Sequence, residues 1–279
     1  MKQKTDIDEV QNFYNWSRDY WIELSRSSEG KIFNALNFGL WMPDTENLYQ
    51  AQVLFWEKIV SLFGELSENT NGLEIGCGIG GFAVKLAAEK KVRLTCLDLM
   101  AEHLAIAQQN AKHKGVNSQI DFLQGDAISL PREDNTFDFI YCIESSFHYP
   151  DKQKFLQEVY RVLKNKGIFI LADMTCEDNS LVKFRKGNYF LSSNTLQAEI
   201  EKANFHILKK MDIGDKVFEP LKNHIKNHNR GQRNKLARYW ELVLYNYTQL
   251  FKQGKMAYKI FQLVKNDAEN LAHPMSHSH

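Results

Sequence analysis

No stretch of this sequence approaches the roughly 18 uninterrupted apolar residues that a membrane-spanning helix requires. Its opening, MKQKTDIDEV, has no apolar segment of the kind that secretory signals carry. Both absences fit a cytoplasmic chain without stable membrane insertion. Cysteine is sparse: Cys77, Cys96, Cys142 and Cys176 are the four, and none forms a CxxC pair, so neither a zinc site nor another metal centre is expected. They read as small buried hydrophobes of a reducing compartment. Charge of one sign is not in excess either. Lys and Arg number 35 against 34 Asp and Glu, which argues against a dedicated nucleic-acid partner. With 5 Pro and 15 Gly the chain is not low-complexity, and it contains no internal repeat.

What is present is a hydrophobic share of 43%, slightly under the globular norm but not that of a disordered chain, with a high aromatic share, 12%. Residues 6–29 read as an aromatic-rich helix containing Phe13, Tyr14, Trp16, Tyr20 and Trp21. LNFGLW (36–41) follows, broken by Gly39 and stopped by Pro43, and then a second helix over 46–66. From residue 73 the pattern alternates. Strands are expected over 73–76, 92–99, 120–126, 137–145 and 167–174, with helices over 80–90, 101–114 and 151–163. Strands alternating with helices at this spacing imply right-handed βαβ units around a parallel sheet. A helix near 194–203, a strand near 205–211, one long helix over 219–253 and a closing strand over 256–265 complete the reading. The two late strands fit an antiparallel pair at the sheet edge. The basic run at 222–238 reads as a solvated helical face. The tail, with His273, His277 and His279, reads as disordered rather than metal-binding.

The strongest local signal is Leu73-Glu74-Ile75-Gly76-Cys77-Gly78-Ile79-Gly80-Gly81, a buried strand running into a glycine turn that opens a helix. Such a turn lets a ligand approach the backbone closely, and the helix start favours polar or anionic groups. Gly76, Gly78 and Gly81 fit the dinucleotide pattern GxGxxG, while Gly76, Gly78 and Gly80 fit the nucleoside turn GxGxG. Asp98, 22 residues after Gly76, suits the ribose in both readings. Three features favour the second. Glu74 suits a cationic amino-acid moiety and would repel a pyrophosphate. Gly125-Asp126-Ala127 ends the third strand, where an Asp can bond an adenine amino group. Roughly 70 residues precede the first strand, whereas a nicotinamide-binding fingerprint often opens its domain.

These segments resemble the class I S-adenosylmethionine-dependent methyltransferases: LEIGCGIGG their first motif, CLDL the second, QGDAISLP the third and FDFIYCIES the fourth. LNFGLW, ESSFHYPD (144–151) and ILADM (170–174) are similar to the branch acting on natural products, sterols, tocopherols and quinones. The resemblance implies an α/β fold, a Rossmann-like seven-stranded mostly parallel sheet with helices on both faces, an N-terminal helical lid and a C-terminal helical cap insertion. The expected division is a lid over 1–66, a cofactor-binding core over 67–215, a cap over 216–253, a closing strand over 254–266 and the tail over 267–279. It also implies S-adenosyl-L-methionine as cofactor. Glu74, Gly76 and Gly78 would line its methionine moiety, Asp98 the ribose, Asp126 and Ala127 the adenine, and Ile143 and Glu144 the sulfonium. Cys77, Gly80 and Leu99 complete the expected binding set, joined by Tyr14 and Trp41 from the aromatic segment. The chain departs from the branch at Asn37, where relatives often carry His, at Leu40 for Tyr, at Met100 for a small residue, and at Phe147-His148, where some relatives pair two histidines.

The chemistry expected is in-line methyl transfer to an apolar small-molecule acceptor, on oxygen, or else on carbon or nitrogen. His148, just past the fourth strand, is the expected general base. Asp173 is its expected carboxylate partner, and Glu144 is a second base. The cap insertion is expected to complete the acceptor chamber, in a monomer or homodimer. A nicotinamide-dependent oxidoreductase and a non-catalytic cofactor-binding module are the rival readings.

Overall fold

In a computed structural model describing residues 2–183, 187–231 and 234–265, the alternating apolar runs become a seven-stranded sheet. In chain order the elements are α1 (Lys2–Leu24), α2 (Leu48–Val60), β1 (Asn71–Ile75), α3 (Gly81–Lys90), β2 (Arg93–Asp98), α4 (Ala101–Lys114) and β3 (Ile120–Gln124). Next come β4 (Phe137–Ile143), α5 (Lys152–Val162), β5 (Leu163–Cys176), α6 (Ser193–Lys202), β6 (Phe205–Asp212), α7 (Phe218–His228), α8 (Lys235–Lys252) and β7 (Met256–Lys265). The strand order is β3-β2-β1-β4-β5-β7-β6. The first five strands run parallel, and β7 pairs antiparallel with both β5 and β6. Among the described residues no helix is long and apolar enough to cross a membrane.

β4 shows why its sequence lacks alternation. Phe139 and Tyr141 pack into the core shared with α3, α4 and the N-terminal segment, while Ile140 and Cys142 pack into the core under α5 and α6. Both faces are buried, as a central parallel strand requires. Asn47 caps α2, accepting from Gln50 N at 3.0 Å, and α4 closes on Gly115.

The long helix expected over 219–253 is two. α7 ends at His228, and Asn234 accepts from Leu236 N at 2.9 Å and starts α8. Asn229 donates to Ala237 O and Glu241 Oε1, at 3.2 and 3.1 Å, and folds α7 back on α8. Side chains that bond nearby backbone compete with helix continuation. α1 stops at Leu24 rather than near residue 29, where a bridge between Arg26 and Ile32 takes over. β5 reaches back to Leu163, which pairs with Phe137, so the KNKG segment lies inside a strand. The tail and its histidines lie outside the described residues.

Much of the N-terminal aromatic content packs rather than binds. Trp21 meets Trp240 of α8 at 4.7 Å between centroids and stacks on Phe38 at 5.5 Å. Phe13 meets Trp240 at 5.7 Å. The LNFGLW segment is held from α2 by the buried Gln52, whose Nε2 donates to Ala35 O and Asn37 O at 3.0 Å each.

Gln52→Leu leaves two buried carbonyls without these donors. Such an omission costs about 1–3 kcal/mol, so the urea midpoint of the variant should fall at unchanged slope. An unaltered midpoint would show that other contacts hold the segment.

Candidate active site

The chain runs outward from β1 through β2 to β3 and then returns to β4 on the other flank of β1. That reversal opens a crevice at the carboxyl ends of β1 and β4, where open α/β sheets place ligands. The turn leaving β1 is hung on β2. Gly76 N and Cys77 N both donate to Leu97 O, at 2.8 and 3.1 Å. Gly78 N donates to Asp98 Oδ2 at 2.8 Å, while Asp98 Oδ1 accepts from Met100 N at 2.9 Å. Gly76 has φ +73°, and a Cβ there would run into the Ser145 side chain. Gly78 has φ +53°, and its Cβ would meet only Leu36 Cδ1, at 3.7 Å, so this glycine keeps its backbone open to the cavity.

The cavity at this crevice is lined by Glu74, Gly76, Cys77, Gly78, Asp98, Leu99, Met100, His103, Asp126, Ala127, Ile143 and Glu144. The N-terminal segment adds Ile7, Val10, Gln11, Tyr14, Leu36 and Asn37, and the far wall adds Ser145, His148, Tyr149, Gly187 and Tyr189. Glu74 is buried. Tyr141 donates to its Oε2 at 3.1 Å, yet burial pushes the carboxyl up to about 8. Burial also raises the pKa of Asp98, opposed by His103 and by the backbone N–H groups it accepts from. Asp126 sits at the exposed rim, accepting from Ile128 N at 3.1 Å. Glu144 holds φ +48°, an unusual conformation for a non-glycine residue. Its Oε1 accepts from Phe38 N at 2.9 Å and from Tyr258 OH at 2.8 Å, tying the N-terminal segment to β7.

His148 follows in the 3-10 turn after β4. Its Nδ1 lies 3.0 Å from Gly187 O. A carbonyl only accepts, so Nδ1 carries the proton. Nε2 then presents its lone pair to Tyr14 OH, 3.0 Å away. The Tyr14 ring meets the rings of both His148 and His103 edge-on, at 5.6 and 5.8 Å.

Four expectations need correction. Asp173 does not pair with His148; it accepts from Ser146 Oγ, from Phe147 N at 3.0 Å and from Met174 N at 2.8 Å, buried beneath the turn. Burial pushes it up to about 6, opposed by the Ser146 hydroxyl and by Lys152. Trp41 is turned away from the cavity: its Nε1 donates to Phe38 O at 3.0 Å and its ring packs on His224 at 5.1 Å. Gly80 starts α3 outside the lining, where a Cβ would come within 2.8 Å of Ala107 Cβ, so it serves helix packing. The 216–253 insertion adds no lining residue among those described; α8 backs α1, and α1 forms the wall.

The sequence reading missed His103. It is 2% exposed, lines the cavity, and its Nε2 has no hydrogen-bond partner among the described residues. Its Nδ1 is 4.0 Å from Asp98 Oδ1, and burial lowers its pKa against the pull of Asp98. An α4 beginning at residue 101 already put it one turn from Asp98, which was the available signal. Among the described residues no group of three or more His, Cys, Asp or Glu is placed to hold a metal.

The carboxyl groups of Glu74, Asp98, Asp126 and Glu144 and an open glycine backbone meet in a crevice at the switch point, on the fold of the class I S-adenosylmethionine-dependent methyltransferases. Residues 73–171 match the family described as Methyltransferase domain. Erythromycin 3''-O-methyltransferase of Saccharopolyspora erythraea is 24% identical over 252 residues, spanning 79% of this chain and 81% of that protein. Norajmaline N-methyltransferase of Rauvolfia serpentina is 40% identical over 92 residues, 33% of this chain and 32% of that protein. The solved structure of the (4+2)-cyclase SpnF superimposes with a TM-score of 0.76 at 21% identity, covering 92% of this chain and 95% of that one, a likeness of fold alone. Residues 73–171 form a methyltransferase domain, and S-adenosylmethionine is the cofactor.

The raised pKa of Glu74 makes stability depend on pH. The unfolded carboxyl titrates near 4.5 and the folded one near 8. The stability that goes with the retained proton is therefore present below about pH 4.5 and lost as pH rises through about 8. Glu74→Gln removes that slope, so the melting temperature of the variant relative to wild type should rise between pH 5 and pH 8.5. Its cofactor affinity, read by calorimetry at pH 8.5, should fall, because a bound cation favours the ionised carboxyl that Gln cannot supply. A constant melting difference across that range would refute the assignment.

Proposed function

We propose that this chain methylates a hydroxyl of an apolar small-molecule acceptor, with His148 as general base. The observation that carries the reading is the pairing of Tyr14 OH with Nε2 of a His148 whose Nδ1 faces Gly187 O. A hydroxyl donor already occupies the place from which an acceptor hydroxyl would hand over its proton. When bound, S-adenosylmethionine supplies a methyl group activated by its sulfonium. Glu74 and Asp98 would hold it against the glycine turn, with Asp126 and Ala127 at the adenine end and Ile143 beside the reacting centre. His103 adds a polar atom to the same wall.

The protein's share of the work is alignment and exclusion of water. Alignment supplies up to about 7–11 kcal/mol in favourable cases. Ile7, Val10 and Leu36 give the wall facing the acceptor an apolar character, which supports an apolar substrate and the reading of residues 1–66 as a lid. His148 Nε2 takes the acceptor's proton as the methyl group moves. Asp173 acts at one remove, by holding the turn that carries the imidazole. Erythromycin 3''-O-methyltransferase, matching most of the chain, favours oxygen as the nucleophile. The higher local identity to norajmaline N-methyltransferase favours a second reading, transfer to an amine, for which a base is less important because a neutral amine already offers its lone pair.

The deciding experiment incubates the protein and carbon-13 methyl-labelled cofactor with fractionated small-molecule extracts, and locates the label on the product by NMR. An O-methyl signal is expected; an N- or C-methyl product rejects the first reading. On a hydroxyl acceptor, His148→Ala should lower kcat by about 10²–10⁴ while cofactor binding stays as in wild type. A variant turning over at the wild-type rate would remove His148 as base.

A further inference from the structure

We propose that Lys152 is a positioning residue for methyl transfer: its buried ammonium straps residues 187–190 to the turn carrying His148 and so fixes which imidazole nitrogen faces the acceptor. This rests on the reading of His148 as the base. Lysine head groups ordinarily reach water from a helix start, yet Lys152, first residue of α5, is only 7% exposed. Its Nζ donates to Tyr149 O at 2.8 Å, at the end of the turn, and to Tyr189 O at 3.2 Å, in the facing segment. Tyr189 N donates back to Phe147 O at 2.6 Å, and His148 Nδ1 donates to Gly187 O at 3.0 Å. The four bonds close a ring between the turn and the strap. Asn179 anchors the strap's outer end, donating from Nδ2 to Asn188 O at 2.9 Å and accepting from Phe190 N at 3.2 Å.

The consequence is chemical. Gly187 O accepts only, so it selects the form of His148 protonated at Nδ1, with the lone pair of Nε2 toward the acceptor. Lys152 holds the segment that brings this carbonyl into place. Burying an ammonium is costly unless it is paired and fully bonded. Its pKa is drawn down to about 8 by burial, against the pull of Asp173. Among the described residues the titratable groups around His148 include Tyr14 from α1, His103 of α4 behind the Tyr14 ring, Asp173 of β5 beneath the turn, Tyr149 at its end, Tyr189 of the strap, and Lys152 itself. The turn is thus gripped by a carboxylate through Ser146 and Phe147 and by an ammonium through Tyr149.

The test follows the ring nitrogens of His148 by NMR in histidine-labelled protein without cofactor, the signals being assigned by their loss in His148→Ala, and in parallel the pH profile of kcat. Lys152→Met should convert the Nδ1-protonated form into a mixture of tautomers, move the His148 titration midpoint, and lower kcat at least about tenfold, since misplacing a catalytic group by 1 Å can cost about a hundredfold. Asn179→Ala, on the exposed side and away from the buried charges, should shift the same signals by less. Wild-type His148 spectra in a folded Lys152→Met overturn the proposal. Should that variant not fold, unchanged spectra in Asn179→Ala overturn it instead. A wild-type rate in His148→Ala defeats the base reading alone, and the imidazole spectra still decide the strap.

Discussion

The carboxylate of Asp98 at the end of β2 is the constraint on which the site depends. One oxygen takes the N–H of Gly78 and the other that of Met100. This single side chain therefore fixes the turn after β1 and the entry to α4. It does so from a buried position, where an anion is costly unless hydrogen-bonded. With Gly78 held this way, the backbone facing the cavity stays open, and Glu74 beneath it and His103 beside it become walls of the same cleft.

The turn after β4 is organised differently, by buried polar groups that grip it. Ser145 donates to Ile75 O at 3.1 Å and accepts from Tyr149 OH at 3.0 Å, filling the space that Gly76 leaves. Asp173 holds Ser146 and Phe147 from below, and Glu144, in its left-handed conformation, bonds Phe38 N on one side and Tyr258 OH on the other. Backbone held in such a conformation persists only where the surroundings over-determine it. The result is that the N-terminal segment, the end of β4 and the last strand meet at one carboxylate, next to Ile143 and four residues from His148.

How much of this was legible depended on whether the determining contact was local. β4 announced itself because burial on both faces leaves an unbroken apolar run. The turn at 76–78, Asp98, and Asp126 with Ala127 were readable because strand, turn and helix follow one another in the chain, and topology sends strand ends to one rim. The break between α7 and α8 was written in Asn229, Gly231 and Asn234, and was masked by the helical spacing on either side. Trp41 and Asp173 were misread for another reason: an aromatic near the lid and a carboxylate at a strand end look the same in sequence whether they face the cleft or the core.

The order of apolar and polar residues along the chain thus determined the elements, the parallel sheet and the residues at its carboxyl edge, since periodicity and glycine chemistry act over a few residues. Tertiary structure alone decided which side chains meet across long separations: Tyr14 with His148, Glu144 with Tyr258, Lys152 with Tyr189. Side-chain direction in a turn depends on packing against segments distant in the chain, and a hydrogen bond 134 residues long leaves no local pattern by which it could be read.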